Sequence, residues 1–76
     1  IQISPYYFAR LFKQSIGITP HQYIISKRIE RAKQLLEEHS SIVIVAEKVG
    51  FQSQSHFTKI FRKYTGMTPQ AYKKLL

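Results

Sequence analysis

Seventy-six residues allow one small domain, and 43% hydrophobic content with five Tyr and five Phe suffices for a core, which excludes a wholly disordered chain. There is no cysteine, so disulfides, thiolate metal ligands and thiol nucleophiles are excluded; the three histidines stand 18 and 17 residues apart, a spacing that does not suggest a metal site. Twelve Lys and Arg face four Glu and no Asp, a net charge of +8 that points to a polyanionic partner and leaves too few carboxylates for a catalytic constellation. No enzyme activity, cofactor or metal is therefore expected. No apolar run approaches the ~18 residues of a membrane span and no signal peptide is present, so no membrane insertion is expected. The lack of cysteine fits a cytoplasmic protein.

In chain order, the first helix is expected over about 4–15. Ser4 is its N-cap candidate, Pro5 suits the first helical position, and Phe8, Leu11 and Phe12 form an apolar stripe at i, i+3 and i+4. Core packing is the ordinary reading of those rings. Gly17 stands where a left-handed C-cap residue is needed, and Thr19-Pro20 opens the next helix, with Gln22 completing a capping box. Residues 20–38 read as one continuous helix with Tyr23, Ile25, Ile29, Ala32, Leu35 and Leu36 on its apolar face. Its length is then about 28 Å at 1.5 Å per residue. Ser40-Ser41 makes the break, and either serine can cap the next helix. Ile42-Val43-Ile44-Val45 resembles a strand by β-branching alone. Val45, Ala46, Val49 and Phe51 around Gly50 instead fit a short helix over about 42–49 that ends in a tight turn. Further helices are expected near 53–64 and 69–75.

Residues 4–24 and 53–73 align without gaps, and seven of the 21 pairs are identical: Ser4/Ser53, Phe8/Phe57, Phe12/Phe61, Gly17/Gly66, Thr19/Thr68, Pro20/Pro69 and Tyr23/Tyr72. Chance gives roughly one or two at ordinary residue frequencies. Arg10/Lys59, Leu11/Ile60, Lys13/Arg62 and Ile18/Met67 keep their chemistry. The chain holds two copies of one supersecondary unit.

In the second copy, residues 41–64 (SIVIVAEKVGFQSQSHFTKIFRKY) read as helix, glycine turn, helix, with Val45, Val49, Phe51, Phe57 and Ile60 closing the angle. That is the build of a helix-turn-helix, whose second helix enters the DNA major groove. The stretch AEKVGFQSQSHFTKIFRKYTGMTPQAY closely resembles the signature of the AraC/XylS family of bacterial transcription regulators, and YIISKRIERAKQLL resembles that family's linker helix. The resemblance spans essentially the whole chain. It implies an all-α fold of tandem helix-turn-helix units: a partial first unit over 1–19, a linker helix over 20–38, and a second unit with a C-terminal helix over 41–76. The first unit is expected to be truncated, because the counterpart of the 42–49 helix would precede Ile1; only Ile1-Gln2-Ile3, matching Gly50-Phe51-Gln52, remains, and the missing initiating Met agrees with a fragment. The first recognition helix is therefore expected to be less well packed than the second.

On the helix after Ser53, Phe57, Ile60, Phe61 and Tyr64 define the inner side, and Gln54, Ser55, Thr58, Lys59 and Arg62 the outer. Gln can bond bidentately to adenine, Lys can reach guanine, and the Thr methyl can pack on thymine. A solvated helix face is the blander alternative, outweighed by the repeat, the charge and the resemblance. The matching face of the first copy is Tyr6, Ala9, Arg10 and Lys13. Arg10 is the leading base reader, since Arg to guanine is the commonest specific pairing. The base-contact candidates are thus Tyr6, Ala9, Arg10, Gln54, Ser55, Thr58 and Lys59. Lys13, Arg62 and Lys63 are assigned to phosphates, which set register without reading sequence. The N-termini of the recognition helices and of the helices after Thr19 and Thr68 offer free backbone N–H groups to phosphates as well. His56 is expected to be partly buried and hydrogen-bonded rather than on DNA; Lys27, Arg28, Arg31 and Lys33 ordinarily make a solvated face, with contact to an upstream domain or to polymerase as the alternative.

The expected function is sequence-specific binding of double-stranded DNA in successive major grooves, regulating transcription. A basic amphipathic membrane-binding peptide fits the charge but not the duplicated Gly-x-Thr-Pro grammar. A small RNA-binding protein would display stacking aromatics on a strand platform, whereas these aromatics fall on helix core faces. Recruitment of RNA polymerase and an upstream sensor or receiver domain are implied by the resemblance alone.

Overall fold

The computed structural model describes residues 5–38 and 41–76, and all regular structure among them is helical. The helices are α1 (Pro5–Ile16), α2 (Pro20–Glu38), α3 (Ile42–Lys48), α4 (Gln54–Thr65) and α5 (Pro69–Lys74), each within one residue of its expected limits. Ser4, Ser40, His39 and the Ile1–Ile3 segment lie outside the described residues.

Capping chemistry sets the ends. Thr19 and Gln22 exchange bonds, the Gln22 N–H donating to Thr19 Oγ1 and the Thr19 N–H to Gln22 Oε1, both at 3.1 Å. Ser41, Ser53 and Thr68 are extended and accept from the N–H groups of Ile44, His56 and Ala71 at 3.3, 3.1 and 3.1 Å. The β-branched run at 42–45 is helical because Ser41 caps it and because the helical period turns Val45 and Ala46 into the core, while Val43 and Ile44 stay exposed. Burial outweighs weak propensity there.

The core is a single cluster. The stripe Ile25, Ile29, Ala32, Leu35 and Leu36 of α2 meets Val45, Ala46 and Val49 of α3, Phe51 of the turn, and Phe57 and Phe61 of α4. Ile42, Ile60 and Tyr72 pack on its margin. α2 is thus the spine that every other helix touches, and the molecule is elongated, 47 × 20 × 19 Å.

The internal repeat is geometric as well as textual. Phe8–Phe12–Tyr23 forms an aromatic ladder with centroid spacings of 5.9 and 5.5 Å, and Phe57–Phe61–Tyr72 repeats it at 5.6 and 5.6 Å. The Gly17 N–H donates to Lys13 O at 2.7 Å and the Gly66 N–H to Arg62 O at 2.8 Å, closing α1 and α4 by the same left-handed cap.

What differs is the cover. Phe57 is 0% exposed and its counterpart Phe8 50%. None of the described residues of α1 is buried, Leu11 is exposed and Phe12 only half-buried, so this stripe is not core in the first copy, in line with the expectation that the first recognition helix packs less well than the second. α3 and Phe51 belong to the core around Phe57; among the described residues nothing stands in the matching place over Phe8. Tyr23 and Tyr64, expected on inner faces, lie at their edges and remain exposed.

The paired phenylalanines give a direct test of that asymmetry. Phe57→Ala is expected to cost about 3–5 kcal/mol, and Phe8→Ala, already half in water, about 1 kcal/mol. Urea denaturation of the two variants measures both, and equal losses would place Phe8 in a core.

Candidate nucleic-acid interface

Construction of the interface begins at the turn between α3 and α4. The Phe51 N–H donates to Ala46 O at 3.0 Å and the Gly50 N–H to Glu47 O at 3.1 Å, a Schellman pair that places Gly50 at φ +93°. Only glycine holds that conformation without strain. Arg28 of α2 reaches across, its guanidinium donating to Gly50 O at 3.4 Å. Phe51 then turns inward against Phe57, centroids 5.4 Å apart, and Ser53 starts α4. With Phe57 and Phe61 locked in the core, the opposite side of α4 has one direction left.

That side gathers Gln54, Ser55, Thr58, Lys59 and Arg62 round a shallow hollow of about 680 Å³. Thr58 is half-buried at its floor, and the other four are exposed. Thr68, the cap of α5, completes the rim; the sequence reading gives it a helix start with N–H groups open to phosphate, but not a place beside the outer face of α4. Its signal is the Gly-x-Thr-Pro spacing, which returns the chain beside α4 after the left-handed cap.

Lys63 is separated from this group. It faces a second, larger cleft of about 730 Å³ between α4 and the first half of α2, with Ile18, Gln22, Arg28, His56 and Ile60. His56 corrects the expectation of a partly buried, bonded histidine: it is exposed, its ring edge meeting Phe51 at a centroid distance of 5.4 Å. As the third residue of α4 it projects sideways from the first turn, outside the core.

On α1, Tyr6 is 75% exposed, Arg10 and Lys13 are exposed, and Ala9 is half-buried. Their spacing puts them on one face. The repeat aligns them with Ser55, Lys59, Arg62 and Thr58 respectively. Since each aromatic ladder fixes its helix against the next in the same way, the two outer faces occupy equivalent places in their units.

Charge is distributed accordingly. All four carboxylates, Glu30, Glu37, Glu38 and Glu47, fall in the middle of the chain, and residues 1–29 and 48–76 carry no Asp or Glu. Both candidate reading helices, α1 and α4, are therefore acid-free, so a polyanion meets no like charge on them. Among the described residues no helix is long and apolar enough to cross a membrane.

A family model described as a helix-turn-helix domain matches residues 1–75. The probable transcriptional regulator LumQ of Photobacterium leiognathi is 48% identical over 67 residues, 87% of this chain and 27% of that protein. The C-terminal domain of AraT, a response regulator from Geobacillus stearothermophilus, superimposes with a TM-score of 0.92 at 33% identity, covering 97% of this chain and 62% of that one. An AraC-type transcriptional regulator structure from Chromobacterium violaceum gives 0.86 at 37% identity, covering 95% and 65%. The chain spans 27%, 30% and 23% of three curated relatives that it matches.

The turn that aims α4 can be probed with two glycines. Alanine at Gly50 or at Gly66 carries the left-handed strain of about 1–2 kcal/mol. At Gly50 the new Cβ lies in ordinary contact with Arg28, 3.4 Å from Cζ, and at Gly66 it meets nothing within 4 Å, so backbone strain is the cost at both. Gly50→Ala and Gly66→Ala are therefore expected to lower stability by similar amounts in thermal melts. A clearly larger loss at Gly50 would mean that the contact with Arg28 is repulsive.

Proposed function

Because the chain belongs to the AraC-type helix-turn-helix family of transcription regulators, a DNA-binding family, we propose that it reads duplex DNA sequence-specifically with α4 and α1 in successive major grooves. The supporting observation is that one polar, acid-free face occurs twice, on helices held alike in the two units. Successive major grooves on one DNA face repeat about every 34 Å, and a linker of about 28 Å can hold two readers near that separation. The units follow each other in tandem, so the site is asymmetric and one chain reads it without a twofold partner.

In this reading Arg10 forks onto guanine, Gln54 and Lys59 engage base edges, and Thr58 and Ala9 allow close approach to thymine methyls. Tyr6 and Ser55 face the same groove floors. Lys13 and Arg62 hold phosphates beside the readers, and Lys63 holds one from the flank of α4. AraT is a response regulator and LumQ a probable transcriptional regulator. By analogy the proposal extends to a signal-receiving domain elsewhere in the same protein, to RNA polymerase as a downstream contact, and to the cytoplasm as the place of action.

Two measurements separate reading from holding. Arg10→Ala should cost about 1–3 kcal/mol on a selected cognate duplex and relax preference at one base pair; uniform weakening on every sequence would reduce Arg10 to a phosphate contact.

Salt isolates the phosphate set. With about 6 to 8 phosphates neutralised, log K against log salt should slope at about −5 to −7, on random duplex as well as cognate. Lys63→Ala should make the slope shallower by about 1 and leave the preferred sequence unchanged. An unchanged slope on both duplexes removes Lys63 from that set.

A further inference from the structure

Between α2 and α3 runs an open groove of about 480 Å³ that shares no residue with the reading hollow on α4. Its floor is apolar: Tyr23 and Ile24 from α2, and Val49 at the end of α3. Ile24 is 50% exposed, an isoleucine on the water side of a helix whose core stripe lies elsewhere. Its rim is cationic, with Lys27, Arg28 and Arg31 on the α2 wall and Lys48 on the α3 wall, and no carboxylate lines it.

The present partners of the α2 cations are weak. Lys27 pairs with Glu30 at 3.4 Å across side chains 56% and 66% exposed, an arrangement that contributes little in water. Its ammonium also stands 5.5 Å from the Tyr23 ring. Arg31 bonds the neutral amide of Gln34 at 3.2 Å, and Arg28 a backbone carbonyl at 3.4 Å. Each can take a carboxylate in exchange for what it now holds.

We propose that this groove docks an acidic amphipathic helix of a partner protein. Two helices side by side leave a channel into which the side-chain ridge of a third can pack. Apolar residues at i, i+3, i+4 and i+7 of the guest would cover Ile24, Tyr23 and Val49, and acidic residues flanking that stripe would meet cations on both walls. Nucleic acid suits the rim but not the floor, because phosphates and sugars leave exposed apolar side chains uncompensated. The groove shares no residue with the outer faces of α1 and α4 and adds a second, protein-directed surface.

The test uses the 76-residue chain and a fluorescein-labelled synthetic helix with Leu at the stripe positions and Glu on both flanks. A peptide of identical composition, scrambled to break the period, controls for bulk charge. Anisotropy titration should show the periodic peptide binding about tenfold or more tighter than the scrambled one. Ile24→Gln and Arg31→Gln, both at exposed positions, should each reduce that preference about fivefold or more, whereas Lys74→Gln on α5 should leave it within about twofold. The same groove variants should bind duplex DNA within about twofold of the parent. Circular dichroism verifies that each variant is folded, and Arg31→Gln alone is decisive if Ile24→Gln is not. Equal binding of the two peptides, or no binding of either, overturns the proposal. So does a loss of duplex affinity in Arg31→Gln with peptide binding intact, which would hand the groove cations to nucleic acid.

Discussion

Phe57 and Phe61 sit one helical turn apart on α4, both wholly out of water, with ring centroids 5.6 Å apart. They are the largest of the fully buried side chains, and a domain near this size buries only about 60% of the surface its unfolded chain exposes. With so small a reserve, the two rings fix α4 in rotation as well as position. The side of α4 opposite them is consequently defined by exclusion: Gln54, Ser55, Thr58, Lys59 and Arg62 are together because none of them can be anywhere else. The turn at Gly50, the cap at Ser53 and the fold of Phe51 onto Phe57 all serve that one orientation.

The first unit obeys the same local rules in a different environment. Its ladder, its left-handed cap at Gly17 and its Thr19 N-cap match those of the second unit closely, with Gln22 adding a return bond that Ala71 cannot make. Yet Ile16, exposed, stands where the second unit has Thr65, whose hydroxyl lies within bonding distance of Phe61 O at 2.8 Å and of Met67 O at 3.0 Å and braces the loop into α5. Local grammar is enough to start and stop α1; burial is what the described residues do not supply. Helices of this length owe most of their stability to packing, so α1 draws less stability from its surroundings than α4 although their outer faces correspond.

Helix limits were legible in the sequence because caps and left-handed glycines are local signals, carried by Thr19, Ser53, Gly66 and Thr68 themselves. The helical state of 42–45 was legible only by weighing the period of Val45, Ala46 and Val49 against β-branching. Burial was less so. Phe8 and Phe57 occupy equivalent positions in the repeat and differ in what covers them, a difference expected from comparing the flanks of the two copies and not from the residues around either ring. His56 escaped for a related reason: its neighbour Phe57 is buried, but on a helix adjacent residues point about 100° apart. The outer face of α4 was readable as the complement of its core stripe, whereas the separation of Lys63 from Arg62 and the reach of Arg28 to Gly50, 22 residues on, depend on how α2 lies against α4.

Arg28 lines both the groove beside α3 and the cleft beside α4, and its hydrogen bond to Gly50 O, at 3.4 Å, is a long one that gives way readily. One guanidinium cannot serve two hollows at once. A carboxylate that draws it toward α3 withdraws it from the cleft that holds His56 and Lys63, and an anion in that cleft withdraws it from the groove. The two occupancies are thereby in competition, and the free energy by which each disfavours the other is the same in both directions.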